Sequence, residues 1–183
     1  ADDISFSIEI TENYVGPVLV RVVDSSTGAD YFDEATGAQQ DLTTDLRAVT
    51  EITGSGTFVI NVNPLTELAV LELGLQAGDG GASDSTLGNI TTAQIEAANQ
   101  SVEDAFGLAD IISGVVTTTI DSSGGAATGN DYGVFLAAIS GIEQTDGSNT
   151  IAVLADVAAA LDGGDVSVAV KAKVLAALQG QAL

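Results

Sequence analysis

The chain has 183 residues, 45% of them hydrophobic, and carries a formal net charge of -22 from four basic and 26 acidic side chains. That balance counts against duplex DNA or RNA as a partner, because phosphate binding draws on Lys and Arg, and it disfavours anionic membrane surfaces. With no Cys and no His, the chain has no disulfides, no thiolate chemistry, no His-based catalytic triad and no His/Cys zinc site.

Read in chain order, the first third has the pattern of strands. Ile4, Phe6, Ile8 and Ile10 alternate with Ser5, Ser7 and Glu9, the period of a half-buried strand. This start is acidic and alternating, unlike a signal peptide, and is expected to be that of an excised piece or a mature form. Val18, Val20 and Val22 repeat the alternation. Ser25-Ser26-Thr27-Gly28 offers a turn, after which Ala29 to Phe32 returns as a hairpin partner, and Glu34-Ala35-Thr36-Gly37 is a second turn. Leu46 to Ile52 and Thr57 to Val62 are further predicted strands, and five short strands suggest a small sandwich.

The pattern changes at Asn63-Pro64, a good N-cap followed by the residue favoured at the first helical position. A helix is predicted from Pro64 to about Leu73. Thr91 to Gln94 resembles a capping box, and Ile95, Ala98, Val102 and Phe106 share one face of the helix it opens, with Gly107 to close it. Val115 to Ile120 is β-branched and reads as a strand. Asp131 is expected to cap a helix carrying Val134, Phe135, Ala138 and Ile139 and closing at Gly141. Ile151 to Leu161 is an Ala-rich helix, and Asp165 or Ser167 caps a last one, with Val170, Val174, Leu175 and Leu178 inward and Lys171 and Lys173 meeting acidic neighbours. The expected fold class is therefore α+β in one unit, residues 1–183: a small antiparallel, sandwich-like sheet over 1–62, then a mainly helical part over 63–183 with a bundle of four to five helices.

Signals for chemistry are sparse. No matching serine motif accompanies Lys171 or Lys173, and no dinucleotide or P-loop glycine pattern sits between a strand and a helix. A carboxylate pair for glycoside hydrolysis would lack the usual aromatic platforms, since Phe6, Phe106 and Phe135 have core positions in this reading. No Lys lies in residues 1–62, which excludes a self-made Lys isopeptide crosslink within that sheet. The acidic excess makes calcium the one candidate cofactor, because calcium takes carboxylate and carbonyl oxygens. Three loop clusters offer such donors: Asp121 with Asn130 and Asp131, Asp79 with Asp84, and Asp30 with Asp33 and Glu34. The first is the candidate metal site, set against the plainer reading of Asp and Asn as turn formers and caps.

Three stretches, Val62-Asn63-Pro64-Leu65-Thr66-Glu67-Leu68-Ala69, Ala98 to Leu108 and Tyr132 to Gly141, with Gly16-Pro17-Val18-Leu19-Val20, resemble a domain of long, repetitive bacterial secreted adhesins of the RTX-adhesin type, which carry immunoglobulin-like or cadherin-like repeats. The matching stretches are packing motifs and carry over no catalytic or ligand residue. The resemblance implies a non-enzymatic, extracellular module at the bacterial cell surface, a structural spacer or an adhesion or self-association domain. Its partners would be neighbouring domains of the same protein, a host or cell-surface ligand, or a second copy, with no nucleic acid and no membrane insertion. The alternative is a calcium-assisted module binding a small ligand, sugar or peptide.

Overall fold

Asn63 turns the chain from extended to helical, and the computed structural model shows how; it describes residues 6–9, 13–23, 28–33, 35–42, 44–75, 84–117, 129–162 and 164–180. The Asn63 backbone is extended, at φ -156° and ψ 177°. Its side-chain oxygen accepts the N–H groups of Leu65 (2.9 Å) and Thr66 (3.2 Å), while its own N–H donates to the Thr66 hydroxyl (3.0 Å). This reciprocal box satisfies donors that a helix start leaves unpaired, and Pro64 has no N–H to lose. Helix α1 then runs Pro64–Glu72.

Among the described residues, four strands precede it. β1 (Gly16–Val22) pairs antiparallel with β4 (Leu46–Ile52), with Gly16 opposite Ile52 and Val22 opposite Leu46. The hairpin of β2 (Tyr31–Asp33) and β3 (Ala38–Gln40) lies between them in the chain. Its turn places Gly37 at φ +64°, a left-handed conformation that glycine adopts without steric cost. After α1 come a 3-10 helix (Asp84–Asn89), α2 (Thr92–Phe106), α3 (Asp131–Asp146), α4 (Thr150–Ala158), the short hairpin of β5 (Leu161–Asp162) and β6 (Asp165–Val166), and α5 (Val168–Gly180). The chain is α+β, with a small antiparallel sheet at the front and, among the described residues, five α-helices behind it. Among the described residues no helix is long and apolar enough to cross a membrane.

Several expected boundaries shift for identifiable reasons. Residues 6–9 join no ladder among the described residues, and Phe6 (50% exposed) and Ile8 (70%) lie outside the core rather than in it. The segment 57–62 forms no strand. Its Asn61 instead donates from the backbone to Ile112 O and from the side-chain amide to Gly114 O, both at 2.7 Å, which ties the approach to α1 to the loop after α2. Residues 115–117 form no strand, and 118–120 lie outside the described residues. Asn130, not Asp131, caps α3, and the helix passes through buried Gly141 to end at Gly147 (φ +64°). Helix α4 stops at Ala158, so Leu161 joins the β5–β6 hairpin instead. On α5, Val170 and Ala177 are the buried positions, while Leu175, expected inward, is 56% exposed.

Helix α1 is the hub of the packing. Leu65, Leu68, Ala69 and Val70 are fully buried, since the helix is covered by β4, α2 and α4. Leu65, Leu68 and Ala69 belong to a core with Val102, Ile111, Phe135, Ile139 and Leu154. Phe106 of α2 meets Phe135 of α3 with ring centroids 4.3 Å apart and planes tilted by 56°, a close, tilted contact.

Two ionised side chains sit inside this apolar setting. Arg47 of β4 and Glu67 of α1 are both completely buried. Glu67 accepts the Arg47 backbone N–H (2.8 Å), its Nε–H (3.1 Å) and its Nη2–H (2.6 Å), and Nη2 also reaches Leu75 O at 3.4 Å. Burial pushes the Glu67 carboxyl up, and the Arg47 hydrogen bonds and charge oppose that shift. Beside this pair the Thr66 hydroxyl lies 2.9 Å from both Arg47 O and Asn63 O, so its single proton serves strand or cap.

Core packing sets a graded expectation. Leu154→Ala, at a fully buried site, should cost about 2–5 kcal/mol in denaturant unfolding, whereas Leu175→Ala on the exposed face should stay within about 0.5 kcal/mol of the parent chain. Equal effects at the two sites would contradict the packing described.

Candidate functional site

Of the expected calcium cluster, Asn130 and Asp131 are among the described residues. Asp121 lies outside the described residues. Asn130 uses its whole side chain locally: Oδ1 accepts Thr117 N–H (3.1 Å) and Gly133 N–H (3.2 Å), and Nδ2 donates to Val115 O (2.5 Å). To bind a cation through Oδ1, it would have to give up the N–H groups that cap α3. Asp131 is exposed in the first helical turn, where a negative charge suits the helix dipole. Of the other clusters, Asp79, Glu34 and the Asp84 side chain fall outside the described residues, and Asp30 Oδ2 accepts Leu42 N–H at 3.1 Å.

Asp33 leads to a second polar assembly, apart from the Arg47 pair. It is 4% exposed and ends β2. One carboxylate oxygen accepts Thr36 N–H at 2.6 Å; the other accepts the Ser140 hydroxyl at 2.8 Å, and Ser140 Oγ in turn accepts Ala35 N–H at 3.0 Å. The β2–β3 hairpin is thereby fastened to the middle of α3. One turn on, Glu143 lies near the same group. Burial and the Asp33 charge push its carboxyl up to about 7, against a hydrogen bond from Thr150. Tyr31 of β2 completes the cluster, its phenol raised to about 12 by burial and by the charges of Glu143 and Asp33.

Chemically, Glu143 in this assembly titrates near neutral pH, and the Tyr31 phenol stays neutral. It resembles a nucleophile–carboxylate pair only superficially. Ser140 is 8% exposed, and both its donor and one acceptor position are engaged within the chain, so no substrate carbon can reach the hydroxyl without separating hairpin from helix. Attack needs an accessible, activated oxygen. The cluster is a buried polar tie.

The sequence puts Asp33 in a candidate metal loop and does not single out Ser140, Glu143 or Thr150. The available signal was helical spacing: continuing α3 beyond Gly141 puts Glu143 four residues after buried Ile139 and three after Ser140.

The sign of the Glu143 effect follows from linkage. Its folded value is raised from 4.5 to about 7, so its contribution to stability is intact below about 4.5 and is lost as pH climbs toward 7. Glu143→Gln should therefore stabilise the chain at pH 8, by ~2–3 kcal/mol, with a difference from the parent that shrinks toward pH 4.5. Unfolding curves at several pH values check this; a difference independent of pH would contradict a half-buried carboxyl with a raised pKa.

Comparison of the chain with protein-family models, with curated proteins and with solved structures found no match.

Proposed function

We propose that the chain is a non-enzymatic, extracellular module of a large bacterial surface adhesin, serving as a structural spacer or an adhesion and self-association domain. The observation that carries this reading is the use made of the buried polar groups. Arg47, Glu67 and Thr66 join strand to helix, and Asp33 and Ser140 join hairpin to helix. These are the arrangements that elsewhere would be inspected for catalysis, and in this chain they serve architecture. Absence of imidazole and thiol from the sequence points the same way. Surface location and bacterial origin rest on the sequence resemblance. Calcium enters this reading as a proposal from charge alone, since 26 acidic against four basic side chains favour oxygen-bound divalent counter-ions; a melting temperature unchanged between calcium and chelator would remove it.

Beads coated with the purified chain test adhesion directly. They should clump with each other, or bind cells, above the level of beads carrying an unrelated protein of equal charge, and the chain should release no product from panels of ester, phosphoester, glycoside and peptide substrates. Turnover abolished by replacing one acidic side chain would contradict the reading.

A further inference from the structure

Charge is unevenly distributed along this acidic chain. Helix α5 carries Lys171 and Lys173, two of the four basic residues, and no acid between Val168 and Gly180. It is also apolar on two sides. Val170 and Ala177 face the core, while Val168 (84% exposed), Ala172, Leu175 (56%) and Ala176 share the outward side at steps of four, three and one. An apolar helix face is ordinarily covered. Among the described residues, only one side of α5 is.

The opposite character appears on α2. A shallow groove of about 540 Å³ has Ala93, Ala97 and Ile112 among its lining, with Glu96, Gln100 and Glu103 beside them and no basic side chain. Asn99 also lines it, and its side-chain oxygen is buried without a hydrogen-bond partner. Glu103 is pushed up by burial, and the nearby carboxylates of Asp110 and Asp104 add to that shift, so a cation placed there would relieve repulsion.

We propose that the outward face of α5 of one copy docks in the α2 groove of another copy, a head-to-tail contact that propagates from chain to chain. It rests on the self-association reading above. Charge complementarity selects the occupant: a helix with two cations and no anion meets a groove with acids and no cation, and both belong to the same chain. The sizes agree, since 13 and 15 residues make helices of about 20 Å and 22 Å. Small side chains at Ala93, Ala97, Ala172 and Ala176 let the two backbones approach, and Val168 and Leu175 supply apolar anchors. Lys171 pairs with Asp165 and Lys173 with Asp146 (2.7 Å), all at the surface. Exposed pairs of this kind are weak, so the ammonium groups exchange partners at small cost. Because the two surfaces differ, the contact is heterologous and yields rings or open chains rather than a closed two-fold dimer.

The test is sedimentation velocity of the whole chain between about 10 µM and about 1 mM. The parent chain should gain mass with concentration. Lys171→Glu with Lys173→Glu, and separately Glu96→Lys with Gln100→Lys, should each weaken association at least about tenfold, and an equal mixture of the two variants should restore it. Leu175→Ser, which changes no charge, should weaken it as well; circular dichroism melting confirms that each variant is folded. Variants that associate like the parent, or a mixture that stays monomeric, overturn this interface and leave self-association through another face. A parent chain monomeric throughout removes both.

Discussion

Arg47 and Glu67 place a full positive and a full negative charge where water cannot reach, and the fold depends on their meeting there. Removing two ions from water is expensive, and their attraction offsets that cost only with excellent geometry and further hydrogen bonds. Here the carboxylate accepts three N–H groups of Arg47, one of them from the β4 backbone, and the guanidinium also reaches Leu75 O. The backbone contact matters most for specificity. It fixes the register of strand against helix as well as their proximity, and a one-residue slip of β4 would turn Arg47 to the other face of the sheet. The pairing is demanding in another way: Arg21 stands directly opposite Arg47 across the β1–β4 ladder, and like charges in that position repel. Asp45 relieves this by approaching Arg21 at 3.5 Å, so each guanidinium has its own carboxylate.

From that clamp the rest of the architecture follows. α1 is held against β4 on one side and lies against α2 and α4 on others, so the helical part packs around an element already locked to the sheet. The Asp33–Ser140 tie repeats the device at a second place, between the β2–β3 hairpin and α3. Both link front and rear across long stretches of sequence, and both put polar chemistry inside an interior built largely from Ala, Val, Ile and Leu. Such side chains supply packing but little directional information, which the buried polar contacts add.

Local signals in the sequence were read well where their physics is local. Asn63-Pro64 and the Thr91–Gln94 box each involve residues within three positions of one another, and both helices begin there. Neighbouring signals of similar strength were harder to rank. Asn130 and Asp131 can both cap a helix, as Gly141 and Gly147 can both end one; which prevails is decided by Thr117 and Val115, whose backbone groups hold Asn130, and by burial of Gly141 in the core. Period-two alternation at Ile4 to Ile10 specifies a strand only if a partner strand is at hand, and Phe6 and Ile8 have none among the described residues. Arg47 and Glu67 were legible as lone charges amid apolar neighbours, yet nothing local links two positions 20 residues apart. α5 is apolar on two faces, and periodicity alone does not say which of them meets the core, so Leu175 reads as inward with Val170, Val174 and Leu178 but lies outward.

If the clamp unites strands and helices into one cooperative unit, weakening it must be felt throughout. The most direct measurement is native-state hydrogen exchange at the Ala48 amide in β4, opposite Val20 of β1, and the Leu154 amide in α4, in the parent chain and in Glu67→Gln. Both amides should lose protection together, by about 3–5 kcal/mol, because a buried guanidinium is left without its counter-charge. Loss confined to Ala48 with Leu154 unchanged, or a loss below about 1 kcal/mol at both, would contradict the central role of the clamp.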